Sequence, residues 1–160
     1  MATKARRKRK VWGSETPDGF ARAAEEFFCA ASLVLNRSTG VSFPAYFLLA
    51  RSLELLLKVF LMQKAVNIDV ISRAPYGHDL INLLALANSK GLQELVALSD
   101  HEQATLNLLS NDYADKRFEY PVDGATYYLP LIEQTEAVAK KLLIAINPAA
   151  AARMSDRGDR

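Results

Sequence analysis

From residue 16 to residue 147 apolar side chains recur at three- to four-residue spacing, and no run alternates apolar with polar between hairpin turns, so the chain reads as helices. The first helix starts at Thr16, whose hydroxyl can cap it, with Pro17 at the first helical position where a missing N–H costs nothing. Phe20, Ala24, Phe27, Ala31 and Leu35 mark its apolar face, and Ser38-Thr39-Gly40 closes it. The second runs from Ser42, with Pro44 in its first turn, to about Ala65. It is apolar on nearly every side, the pattern of a helix surrounded by partners. Its charged exceptions, Arg51, Glu54 and Lys58, fall at i, i+3 and i+7 and share one stripe.

A loop through Arg73-Ala74-Pro75-Tyr76-Gly77 leads to a third helix, from His78 through Leu80, Leu83, Leu84 and Ala87 to Gly91, and then to a short helical piece over 92–98. Ser99-Asp100-His101-Glu102 forms a capping box for a helix carrying Leu106, Leu109 and Tyr113 that ends before Pro121. The last long helix follows Asp123-Gly124 and carries Leu129, Ile132, Val138, Leu142 and Ile146 until Asn147-Pro148 stops it, with Pro130 tolerated early or kinking the first turns. Short connections between such helices predict an all-α, antiparallel up-and-down bundle of four to five helices over residues 14–147. A basic tail precedes it at 1–13, and a loose tail follows at 148–160, where no core pattern continues.

With 160 residues, half of them hydrophobic and 24% charged, the chain has room for one globular domain. Seven Gly, six Pro and one Cys exclude collagen-like, low-complexity and disulfide-stapled classes. The lone Cys29 cannot form an internal disulfide and suits a reducing cytoplasm. The richest apolar run, Phe43 to Ala50, is broken by Arg51, short of the roughly 18 residues a membrane span requires, and the basic start lacks the apolar region of a secretory signal. A soluble, cytoplasmic protein is expected.

Charge changes the picture more. Lys4, Arg6, Arg7, Lys8, Arg9 and Lys10 supply six cations with no acid among them, leaving 14 basic against 18 acidic side chains in residues 11–160. The body is therefore net −4 and the formal +2 belongs to the tail. Such a run repels itself and reads as disordered in isolation. It is either a solubilising extension or an arm for RNA or another nucleic acid, in which case six phosphate contacts would give a salt slope of about −5 on duplex.

Three pieces stand in order along the chain: Glu54-Leu55-Leu56-Leu57-Lys58, then His78-Asp79-Leu80 with Leu83-Leu84, then Tyr113 with Arg117-Phe118-Glu119-Tyr120-Pro121. In this order, over roughly Phe20 to Ile146, the chain resembles HEPN domains, compact antiparallel helical bundles of prokaryotes and higher eukaryotes. The resemblance implies RNA processing, toxin–antitoxin modules or phage defence, a homodimer, and a nucleotidyltransferase or toxin partner. It implies a polar centre of Glu54, Lys58, Arg117, Tyr113 and Tyr120. Ribonuclease members carry an Arg followed four to six residues later by a His. Here the matching Arg117 is followed at 121–124 by Pro-Val-Asp-Gly, and no His occurs after His101. The literal spacing Arg73 to His78 lies in the loop before the third helix, away from the place of that pattern, and is read as coincidence. A non-catalytic binding or accessory module is therefore expected. The alternatives are a metal-independent ribonuclease using His78 with Arg73 or Arg117, and a dimerising scaffold.

Individual residues carry plainer readings beside these. Glu54 and Lys58 on an exposed face would be an ion pair worth about 0.3–0.5 kcal/mol. On so apolar a helix they must instead find buried partners, and Glu54 is expected to pair with Arg117 across the bundle. His78 is expected to cap a helix, ahead of acting as a general acid or base. His101 reads as a solvated first-turn residue and Cys29 as a small core residue. Two separated histidines and one cysteine give no zinc spacing, and no phosphate-cradling loop is present, so neither metal nor cofactor is expected. Tyr113, Phe118, Tyr120, Tyr127 and Tyr128, beside Lys116 and Arg117, are expected to close the core in preference to stacking on bases.

Overall fold

Helix α1 (Pro17–Leu35) begins as its first residues dictate: the Gly19 N–H donates to Thr16 Oγ1 at 3.1 Å and Pro17 occupies the first turn. Helix α2 (Phe43–Gln63) is capped by Ser42, whose hydroxyl accepts from the Ala45 N–H at 3.3 Å. The computed structural model describes residues 15–158, so the basic tail lies outside the described residues. Among these, all regular elements are helical. The remaining helices are α3 (Ile68–Ile71), α4 (Leu80–Ser89), α5 (Leu92–Leu95), α6 (Asp100–Ala114), α7 (Ile132–Ile146) and α8 (Pro148–Gly158).

The all-round apolar character of α2 reflects its place: it packs on α1, α4, α6 and α7. Leu49, Leu53, Leu56, Leu57, Phe60 and Leu61 are all buried, each contributing about 1.5–3 kcal/mol relative to exposure. Such a helix fixes whatever lies along it, and its polar stripe is thereby held at a defined place in the core.

Several boundaries differ from the sequence expectation. The third helix starts at Leu80, because Asp79 caps it by accepting from the Asn82 N–H at 3.0 Å; His78 lies before it. The last long helix starts at Ile132 and residues 125–131 are not helical. Pro130 disfavours helical backbone at Leu129 and has no N–H to donate, which outweighs the helical spacing there. Residues 148–158 are not loose. Pro148 opens α8, the alanines that follow favour helix, Ala150 is buried, and Arg153 grips Glu25 of α1 with contacts of 2.6–3.1 Å. Cys29 is half-buried, not in the core, at the edge of a cleft of about 500 Å³ between α1 and α8. The capping box of α6 is present as expected, Ser99 and Glu102 each serving the other's backbone N–H.

Candidate functional site

The stripe on α2 converges on one carboxylate. Glu54 has no side-chain exposure, and its Oε1 accepts from Lys58 Nζ at 2.6 Å and from Arg51 Nη1 at 2.8 Å. The spacings i, i+4 and i, i−3 on one helix bring the two cations to the same oxygen. The other oxygen, Oε2, accepts from the Tyr113 hydroxyl of α6 and lies 2.9 Å from Nδ1 of His78. Both oxygens are thus occupied by side chains from three parts of the chain.

Those partners settle the ionisation of Glu54. Burial pushes its carboxyl up, but Lys58 and Arg51, with the His78 and Lys58 donors, outweigh burial and hold it below its ordinary value. Burial, reinforced by the neighbouring Glu54 charge, pushes the Tyr113 phenol up, so it remains a protonated donor. Facing an ionised carboxylate, His78 Nδ1 carries the proton and donates, leaving Nε2 as the other nitrogen.

The loop before α4 presents the imidazole. The Arg73 carbonyl accepts from the Tyr76 and Gly77 N–H groups, closing a tight turn, and Gly77 has φ 37°, a conformation that favours glycine. Asn82 reaches back to the Pro75 carbonyl at 3.1 Å and steadies this turn against α4. His78 meets the ring of Tyr113 edge-on, with centroids 6.1 Å apart, and Phe47 packs on that ring at 6.2 Å. The cluster runs from core to surface: Lys58 is 7% exposed in its side chain, Arg51 30% and His78 49%. Two cations against one anion leave a positive site that opens to solvent through Arg51 and His78.

Arg117 is not part of it. The expected pairing of Glu54 with Arg117 is replaced by Tyr113, which projects from the last turn of α6 toward α2. Beyond α6 the chain reverses at Lys116, where φ is 56°, and turns Arg117 onto its own loop. There Arg117 donates to Asp112 Oδ1 at 2.6 Å and to the Thr126 carbonyl at 3.1 Å, with its guanidinium 4.4 Å from the Tyr127 ring centroid. Tyr120, also expected in the polar centre, is 71% exposed, and Arg73 is exposed in the turn ahead of His78. The capping role expected for His78 belongs to Asp79.

The aromatic group divides. Phe118 and Tyr127 pack on Phe43, and Phe118 stacks on Tyr46, while Tyr120 and Tyr128 face solvent. Among the described residues no group of three or more His, Cys, Asp or Glu is placed to hold a metal ion, and no helix is long and apolar enough to cross a membrane. Glu54, Lys58 and Tyr113 belong to the polar centre that the resemblance implies, and His78 is singled out apart from it. The sequence left Arg51 in the stripe without a role, although the i, i+3 spacing to Glu54 was the signal. Comparisons with family models, with curated proteins and with solved structures give no match for this chain.

Proposed function

We propose that the protein is a HEPN-like accessory module of RNA-linked, toxin–antitoxin or defence biology that holds an RNA phosphate where Arg51 and His78 reach the surface. The observation that carries this reading is the Glu54 cluster itself: a buried anion tied to two cations leaves net positive charge at an opening, where the Arg51 guanidinium, anchored on Glu54 through Nη1, has further N–H groups to donate beside the His78 ring. Residues 14–147 then form the antiparallel bundle of that family, a reading supported by the packing of α2 on α1, α4, α6 and α7. Binding is favoured over cleavage because Arg117, the cation matched to the ribonuclease pattern, is engaged by Asp112, Thr126 and Tyr127. The cytoplasm, a homodimer and a nucleotidyltransferase or toxin partner belong to the same reading.

One observation favours a second reading, a metal-independent ribonuclease. A carboxylate on Nδ1 fixes the imidazole as a general base would need, with Nε2 turned to the reacting hydroxyl and Arg51 in place of Arg117 beside the phosphate. Fluorescence anisotropy with a labelled single-stranded RNA, followed by a cleavage assay on the same RNA in chelator, separates the two. The module reading expects saturable binding that His78→Ala weakens at least about fivefold, with the RNA intact. Cleavage abolished by His78→Ala would establish the enzyme, and binding indifferent to His78→Ala and Arg51→Gln would remove the site from both readings.

A further inference from the structure

At the far end of α1 from Pro17 lies an apolar groove of about 610 Å³, walled by Leu35, Val41, Tyr46, Leu129, Leu131 and Ile132. Its floor is firm: the Tyr46 hydroxyl donates to the Pro130 carbonyl at 2.6 Å and the Tyr46 ring stacks on Phe118. Its walls are open, with Val41 75% and Leu131 63% exposed. Glu133 and Glu136 also line it, Glu133 exposed and Glu136 accepting from Ser32 Oγ at 2.8 Å. Large exposed apolar side chains beside carboxylates call for an occupant that is apolar and cationic together.

This chain contains such a segment. Residues 4–10 hold six cations and are followed at once by Val11 and Trp12, whereas residues 11–160 are net −4. We propose that residues 4–12 of a second copy occupy the groove, Trp12 and Val11 against Val41 and Leu131 and the preceding cations along Glu133 and Glu136. The exchange is reciprocal, so that each protomer both gives and receives an arm. Length decides between the protomer's own arm and its partner's. From Trp12 to Pro17 the chain extends at most about 18 Å, whereas the 19 residues of α1 span about 28 Å before Leu35 is reached. Even with the length of its indole added, Trp12 falls short of the Leu35 end of its own protomer's groove, where Val41 and Leu131 stand, and a second copy can supply it. Closed two-fold symmetry satisfies both arms at once.

Trp12 is the single tryptophan of the chain, so its emission reports the seat directly. Sedimentation velocity and tryptophan emission on the full chain, over a dilution series, are the test. The expected result is a dimer whose Trp12 emission is blue-shifted and shielded from acrylamide, moving to the red as dilution dissociates it. Leu131→Glu and Val41→Glu, at exposed positions, are expected to keep the fold by circular dichroism while weakening association at least about tenfold. Mixing Leu131→Glu, which still has its arm, with Trp12→Ala, which still has its groove, should restore the blue shift that neither shows alone. A monomer, a dimer with solvent-exposed Trp12, or a blue shift independent of concentration would overturn the proposal. Shielding that appears only on adding RNA would overturn it too, and would make the tail a nucleic-acid arm.

Discussion

Replacing Glu54 by Gln is the most informative single change, because it keeps the volume and removes the charge on which the cluster depends. Lys58 and Tyr113 are almost wholly buried, and Arg51 is two-thirds covered. Without the carboxylate the Lys58 ammonium is left in the core beside a guanidinium of like charge. The amide offers one acceptor oxygen where the carboxylate had two, and its NH₂ faces donors. Removing one member of a buried ion pair costs about 3–5 kcal/mol. For a chain of this size each kcal/mol lowers the melting temperature by about 2–4 °C, so the expected loss is about 10 °C. Thermal unfolding followed by circular dichroism measures it. Glu54→Gln combined with Lys58→Met, which removes the stranded charge, should recover a large part of the loss. A single variant melting within about 4 °C of the parent would contradict a buried charge cluster, since a solvated pair, worth up to about 1 kcal/mol, costs no more than that.

Three further outcomes follow from the same contacts. Because the folded state lowers the Glu54 carboxyl, its contribution to stability is complete above about pH 4.3 and is lost as pH falls through the lowered folded value; urea titrations from pH 7 to pH 3 should show that slope, and Glu54→Gln should flatten it. Arg117→Ala leaves Asp112, 4% exposed in its side chain, without its cation. A loss of about 1–3 kcal/mol is expected, with faster hydrogen exchange over 116–127 and unchanged RNA affinity at His78. Ser99→Ala removes one half of the α6 capping box and should cost about 1 kcal/mol in chemical denaturation.

What the sequence revealed was what periodicity and local chemistry determine. α2 was legible because its apolar residues leave only one narrow polar stripe, and α1 and α6 because Thr16-Pro17 and Ser99 with Glu102 are local capping signals acting within three residues. The start of α7 was not, since the helical spacing of Leu129 and Ile132 conflicts with Pro130, and only the packing of Tyr46 on the Pro130 carbonyl shows which prevails. α8 was hidden for a related reason: Arg153 finds its partner, Glu25, on α1, more than 120 residues away, and no local pattern announces it.

The site divides in the same way. That Glu54 and Lys58 meet is a property of one helix, and the pair could be read from spacing alone. That Tyr113 and not Arg117 completes the carboxylate depends on where α6 ends, a matter of one turn of backbone at Lys116. His78 reaches Glu54 across 24 residues because a turn at Gly77 and a cap at Asp79 place it there. Each of those signals was present in the sequence, but nothing local joined them to α2.

The claim that RNA is held at the Glu54-anchored imidazole is tested most directly by nitrogen-15 correlation of the histidine rings during titration with a short RNA. Only His78 and His101 contribute signals, which keeps the assignment simple. The His78 Nε2 resonance is expected to move saturably while Nδ1, donating to Glu54, keeps its proton and His101 is unchanged. Movement confined to His101, or no movement of either ring at RNA concentrations that saturate binding, would contradict it.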